Sequence, residues 1–278
     1  MKKYELGRYN TLSIVEFGEH GALLDGGDRN ILMPKKYVES SWKPGDEVRV
    51  FVYLDQEERL VATTETALAK VGDFAFLKVA WTNKYGAFLD WGLNKDIFVP
   101  FKEQGKKMMK DHSYLVYIYI DDQTGRIVAT TKLDRYINYE TDGVYQEGQT
   151  VGITVWKQTD IGFKVIVDNQ YAGLVYKNEL FRPLQTGDRM EAYIKNVRTD
   201  GRLDISLQRS GKEHVMDLAE QILQALRAEG GFLPLPDSST PEEIAEHFPV
   251  SKKAYKKAIG ALYKKRIIAI EEDGIRLL

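Results

Sequence analysis

His20-Gly21-Ala22-Leu23-Leu24-Asp25 recurs as Tyr85-Gly86-Ala87-Phe88-Leu89-Asp90, and more loosely as Ile161-Gly162-Phe163-Lys164-Val165. A short apolar run follows each copy: Ile31-Leu32-Met33-Pro34, Ile97-Phe98-Val99-Pro100 and Ala172-Gly173-Leu174-Val175-Tyr176. Further on the likeness returns. Val61-Ala62-Thr63-Thr64 is repeated 67 residues later as Val128-Ala129-Thr130-Thr131, and Asp204-Ile205-Ser206-Leu207 is the third version. Before each of these come an alternating strand, a polar turn and an arginine. Self-similarity at a fixed period is the strongest organising signal a chain can carry. Each unit of about 70 residues reads as three strands, a linker, a strand, a turn and a strand, with Asp, Gly and Asn supplying the turns. Five short strands in that length predict a small closed barrel of the OB type. Each unit has enough apolar residues for its own core, which argues against a solenoid. The glycine that opens each copy predicts a close approach or a bulge, and a bulge at Gly86 would turn both Tyr85 and Phe88 outward. Leu115 to Ile120 is apolar on both faces, so its second face is expected against a neighbouring domain or a ligand.

Beyond Arg209 the apolar period changes from 2 to 3.6. Val215, Leu218, Ile222 and Leu226 form a helical stripe that Gly230-Gly231 ends. Thr240, Pro241 and Glu243 mark a second helix start. Ser251 opens a third helix, buried along Tyr255, Ile259 and Leu262, and two short strands join through Glu271 to Gly274. Helix, strand, helix, helix, strand, strand is the order of a winged helix. The expected organisation is mainly β with a C-terminal α+β domain: barrels over 1–66, 67–140 and 141–210, then a winged helix over 211–278.

Composition narrows the function. The 278 residues contain no cysteine, which excludes disulfides and thiolate metal sites. No apolar run is long enough to span a membrane, and MKKYELGRYN lacks the apolar stretch of a signal peptide, so the cytoplasm is expected. With 39 basic and 41 acidic side chains the net charge is −2, and any polyanion surface must be local. The segment 67–140 carries an excess of two positive charges and 1–66 an excess of three negative ones. The four histidines match no metal spacing, Gly26-Gly27-Asp28 is a turn rather than a phosphate loop, and the pairs Asp121-Asp122 and Glu57-Glu58 read as solvated turns. No cofactor, metal or nucleophile–base set is expected. From Lys252 to Arg266 there are seven basic residues and no acid, where a purely structural helix would mix in glutamate.

These repeats resemble the RNA-binding OB domain first named from ribosomal protein S-one. Gly173-Leu174-Val175-Tyr176-Lys177-Asn178-Glu179-Leu180 is the nearest stretch. Three such domains followed by a winged helix resemble the bacterial conserved virulence factor B (CvfB, YitL-like) family. That resemblance implies a non-catalytic, cytoplasmic protein that binds single-stranded RNA and influences gene expression. It also implies site residues: two aromatics of the second strand, a residue ending the third, and an Asp and Arg flanking the last turn. In the second copy these are Tyr85, Phe88, Pro100, Asp122 and Arg126, with Pro100 off-pattern. In the first copy they are His20, Leu23, Pro34, Asp55 and Arg59, a weak site in the most acidic segment that reads as mainly structural. In the third copy they are Ile161, Lys164, Tyr176, Arg198 and Arg202, with Lys177 alongside. Lys252, Lys253, Lys256, Lys257, Lys264 and Lys265 complete the expected surface, shared between the third barrel and the winged helix across the short connection Ser210-Gly211-Lys212. Packing remains the alternative for Tyr85 and Phe88, and a solvated face for the lysines. The alternative functions are a DNA-binding regulator acting through the winged helix, a scaffold on RNA polymerase or the ribosome, and a nuclease.

Overall fold

The computed structural model describes residues 1–141, 143–180, 182–208 and 212–278, with backbone alone for 212–217. It divides into two compact units, 1–136 and 137–278.

The first unit holds two closed five-stranded barrels. One is built from β1 (Arg8–Gly18), β2 (Gly21–Asp25), β3 (Asn30–Pro34), β4 (Glu47–Leu54) and β5 (Leu60–Thr63). The other uses β6 (Phe74–Thr82), β7 (Gly86–Asp90), β8 (Ile97–Pro100), β9 (Ser113–Ile120) and β10 (Ile127–Thr130). The second unit opens with β11 (Thr150–Gln158), β12 (Gly162–Val167), β13 (Tyr171–Tyr176), β14 (Arg189–Val197) and β15 (Leu203–Ser206), again a closed barrel. In each barrel the third and fifth strands run parallel and the other pairs are antiparallel. Closure leaves no free sheet edge, and each interior fills with alternate apolar residues such as Leu12, Ile14, Leu24, Val48 and Val50 in the first.

The repeated glycine is a close approach. A Cβ at Gly21, Gly86 or Gly162 would stand 2.0, 2.2 or 2.0 Å from the carbonyl oxygen of Met33, Val99 or Val175 on the next strand. Gly162→Ala therefore forces that strand pair apart, and overpacking of this kind costs about 3 kcal/mol. Urea unfolding of the variant is expected to show a clearly lowered midpoint, and an unchanged one would refute this reading.

The bulge lies elsewhere than expected. β7 pairs with β8 in unbroken register from Gly86 to Leu89. The register instead shifts in the preceding strand, between Val79 and Trp81, and likewise between Ile14 and Glu16 and between Val155 and Lys157. One extra residue there turns the following side chain from the interior to the surface.

The two barrels of the first unit share an apolar cluster. Phe51 meets Trp91 edge to face at 5.4 Å and Tyr9 at 5.0 Å, while Tyr9 Oη accepts from the Ala67 amide. The second face of β9 is partly covered by its own chain: Tyr136 stacks on Tyr117 at 4.0 Å and leans on Tyr119. Tyr136, from the chain leaving β10, thus covers part of the face expected against a neighbouring domain or a ligand, and Arg8 of the first barrel lies near enough to Tyr117 to act on it electrostatically.

The C-terminal part contains α1 (Lys212–Ala228), β16 (Phe232–Leu233), α2 (Pro241–His247), α3 (Lys252–Lys264), β17 (Ile268–Ile270) and β18 (Ile275–Leu277). Its sheet order is β16-β18-β17, the wing of a winged helix. Thr240 and Glu243 cap α2 reciprocally, and the Ser251 hydroxyl caps α3 by accepting from the Ala254 amide. Leu218, Ile222, Leu226, Tyr255, Ile259 and Leu262 meet in one core. The Val215 side chain and the connection at 210–211 lie outside the described residues. No described helix is long and apolar enough to cross a membrane.

Candidate nucleic-acid interface

The bulges decide what each barrel presents. The residue after the bulge faces across to the second strand and then the third, making a row of cross-strand neighbours. In the first barrel the row is Glu16, Leu23 and Leu32. In the second it is Trp81, Phe88 and Phe98. In the third it is Lys157, Lys164 and Leu174. One backbone plan thus carries an acidic-aliphatic, an aromatic and a basic surface.

The aromatic row is tightly stacked. Trp81 lies parallel to Phe88 at 3.6 Å, and Phe88 tilts against Phe98 at 4.9 Å. Trp81 covers one face of Phe88, so the open rings are Trp81, 44% exposed, and Tyr85, 62% exposed. Tyr85 stands before β7, where strand alternation does not apply to it, and the Asn83 side chain holds its amide at 2.8 Å. These rings line a cleft of about 670 Å³ together with Leu54, Gln56 and Glu58 of the first barrel. Arg126 also lines it, with Nε 3.4 Å from Glu58 Oε2. Lys95 Nζ donates to Glu58 at 2.9 Å and to the Asp55 carbonyl at 2.8 Å. Asp96 accepts from Trp81 Nε1 at 2.8 Å. Burial raises the Asp96 pKa, the Trp81 bond opposes that, and neighbouring Asp90 adds to the rise. Asp122 is exposed in the β9–β10 turn and does not line the cleft, whereas Asp121 caps that turn through Thr124. Pro100 pairs with Gly86 at the end of the row. Trp81 and Phe98 were not expected as site residues.

In the first barrel Leu23 occupies the place of Phe88 without a ring. Asp55 and Arg59 bind each other within their turn at 2.8 Å, and Arg59 also holds Glu57.

In the third barrel Lys157 and Lys164 face each other across the strands, a repulsive pairing. Trp156 lies between them as a partial remedy, with the ammonium groups 4.3 and 5.4 Å from its ring. Tyr176 ends β13 and donates to Asp204 at 3.3 Å, with Lys195 5.8 Å from its ring. Arg198 and Arg202 flank the next turn and both face Asp200, at 3.4 and 3.8 Å.

Lys177 begins a one-turn helix, Lys177–Glu179, that packs beside α3. Together with Lys252, Lys253, Lys256 and Lys257 it lines a cavity of about 550 Å³. Lys252 donates to the Ser238 carbonyl, Lys256 pairs with Asp237 at 3.3 Å, and Lys253 reaches Glu179 at 3.3 Å. Lys177 and Lys257 have no ion pair among the described residues. Buried Glu179 also accepts from Lys195 at 2.6 Å. Burial would raise its pKa, but the two ammonium groups outweigh it and hold the carboxyl below its ordinary 4.5. Such a group stabilises the folded form above its unfolded value, and the contribution fades as pH falls through the folded one. Glu179→Gln is therefore expected to lower stability near pH 7, with wild type and variant converging as acidification protonates the folded carboxyl, below its ordinary range. A gap that stays constant through that acidification would exclude the ion pair as its source. Lys264 and Lys265 lie apart from the cluster, roughly 10 Å or more along α3. Lys265 borders a separate recess against α1.

Five-stranded barrels with an aromatic face, joined to a winged helix with a lysine-rich helix, define a class of modular folds built for nucleic acid. Comparison with known proteins finds likenesses in both the barrels and the winged helix. Residues 220–277 match the CvfB-like winged helix domain and residues 6–65 match the S1 domain. The chain is 28% identical to the Bacillus subtilis protein called Uncharacterized protein YitL, over 96% of this chain and 92% of that one. It is also 28% identical to Conserved virulence factor B of Staphylococcus epidermidis, over 86% and 82%. A solved Streptococcus pneumoniae structure, described as a multidomain protein with nucleic acid binding domains, aligns over 98% of both chains at 24% identity and a TM-score of 0.43. The resemblance to the conserved virulence factor B family thus extends over nearly the whole chain. Among the described residues no His, Asp or Glu cluster is arranged to hold a metal ion.

Proposed function

We propose that this protein binds single-stranded RNA without catalysing a reaction on it, and influences gene expression after transcription in the cytoplasm. The observation that carries the proposal is the row Trp81, Phe88 and Phe98, opening with Tyr85 onto a cleft edged by Arg126. Splayed bases stack on such rings regardless of sequence, at about 1–3 kcal/mol per base. The lysines of α3 supply the sequence-independent attraction to phosphates. Single-stranded RNA is favoured over duplex DNA because the first turns of α3 share a cavity with Lys177, Asn178 and Leu180 of the third barrel. A recognition helix needs that end open to enter a major groove, and lysine without Asn, Gln or Arg suits phosphates better than base edges.

The test is fluorescence anisotropy of the full chain with a labelled single-stranded RNA at two salt concentrations, with duplex DNA as competitor. Salt-sensitive binding that duplex DNA fails to displace is expected. Displacement by duplex DNA would favour the regulator acting through the winged helix. Absence of RNA binding at low salt would turn attention to protein partners in transcription or translation.

A further inference from the structure

The aromatic cleft of the second barrel holds two carboxylates in different circumstances. Glu58 faces the cations Lys95 and Arg126. Asp96 has no Lys or Arg partner among the described residues, and its side chain receives one hydrogen bond, from Trp81 Nε1. An ionised carboxylate offers about four acceptor positions, so most of this capacity is open. Asp96 is half-buried and Asp90 adds negative charge nearby, while its remaining acceptor positions stay reachable from the cleft. The Trp81 bond also fixes Asp96 at the edge of the exposed indole, within the cleft that the ring lines.

Resting on the stacking reading, we propose that this cleft takes guanine in preference to the other bases, with the Asp96 carboxylate accepting from guanine N1–H and the 2-amino group. Bases splayed from a single strand expose their Watson–Crick edges, and the edges differ in what they offer a carboxylate. Guanine presents two adjacent donors there. Adenine and cytosine set a ring-nitrogen acceptor beside one amino group, and uracil sets its single N–H between two carbonyls. Those acceptors repel an anion, so guanine alone matches both oxygens of Asp96. Stacking on Trp81 supplies affinity, and Asp96 supplies choice.

The experiment compares anisotropy of the full chain with labelled oligouridines carrying one central guanosine, inosine, adenosine or cytidine. The guanosine oligomer is expected to bind about tenfold tighter than its uridine parent, the scale of one bidentate contact. Inosine, which keeps N1–H and lacks the amino group, is expected to lose most of that gain. Asp96→Asn keeps an acceptor for Trp81 but replaces one carboxylate oxygen with a donor, and is expected to level the oligomers. Trp81→Ala is expected to weaken all of them. Equal wild-type affinities, with Trp81→Ala still weakening every oligomer, would overturn the guanine assignment and leave stacking intact. Failure of every oligomer to bind would overturn both.

Discussion

Trp81→Ala lowers the affinity of the full chain for single-stranded RNA by about tenfold or more, while Trp81→Phe retains most of it. A stacked base gains about 1–3 kcal/mol from its aromatic partner, which sets the scale. Trp81 rather than Phe88 is the informative position. Phe88 lies beneath Trp81 and against Phe98, so removing it collapses the platform and loosens the barrel wall together. Trp81 is nearly half exposed, and its truncation leaves the interior of the barrel untouched. Its loss also strips Asp96 of its hydrogen-bond donor, so the variant reports on stacking and on the seating of that carboxylate. Full RNA affinity in Trp81→Ala, measured by anisotropy at low salt, would move the site off the second barrel.

The barrels and the winged helix were legible in the sequence because each rests on local chemistry. Alternation, turn glycines and the Thr240 and Ser251 caps each act over a few residues. The aromatic row was half legible. Phe88 stood out within the repeat, but Trp81 did not, because plain alternation from Leu77 and Val79 directs it into the core. The missing signal lay in the other copies. Glu16 and Lys157 occupy the same place four residues before His20 and Ile161, as Trp81 does before Tyr85. Alternation would bury a charge there in two barrels of three, so the register has to break just before it. Other features were illegible because they depend on chain segments far apart in sequence. The Glu58 contacts to Lys95 and Arg126 join two barrels, and the lysine cavity joins Lys177 to a helix that begins at Lys252.

Joint replacement of Lys252, Lys253, Lys256 and Lys257 by Ala is expected to weaken RNA binding strongly and to flatten its salt dependence. For a single strand, each phosphate neutralised contributes about −0.7 to the slope of log K against log salt. If each of the four lysines neutralises one phosphate, the quadruple variant has a slope shallower by about 3. The full value is an upper limit here. Lys253 already shares Glu179 with Lys195, and Lys256 already faces Asp237, so part of their charge is spent within the fold. Lys252 and Lys257, with no ion pair among the described residues, are expected to carry the larger shares. Lys264→Ala with Lys265→Ala serves as the comparison, scaled per lysine removed, since these two lie at the far end of α3 away from the cavity. A smaller slope for the first set and an unchanged one for the second would tie phosphate binding to the cavity rather than to the overall charge of α3. Equal effects of the two sets would make the helix a diffuse basic face. No change in either would take phosphate binding off α3 and leave the barrels to anchor the strand, through the aromatic cleft of the second and the basic row Lys157 and Lys164 of the third.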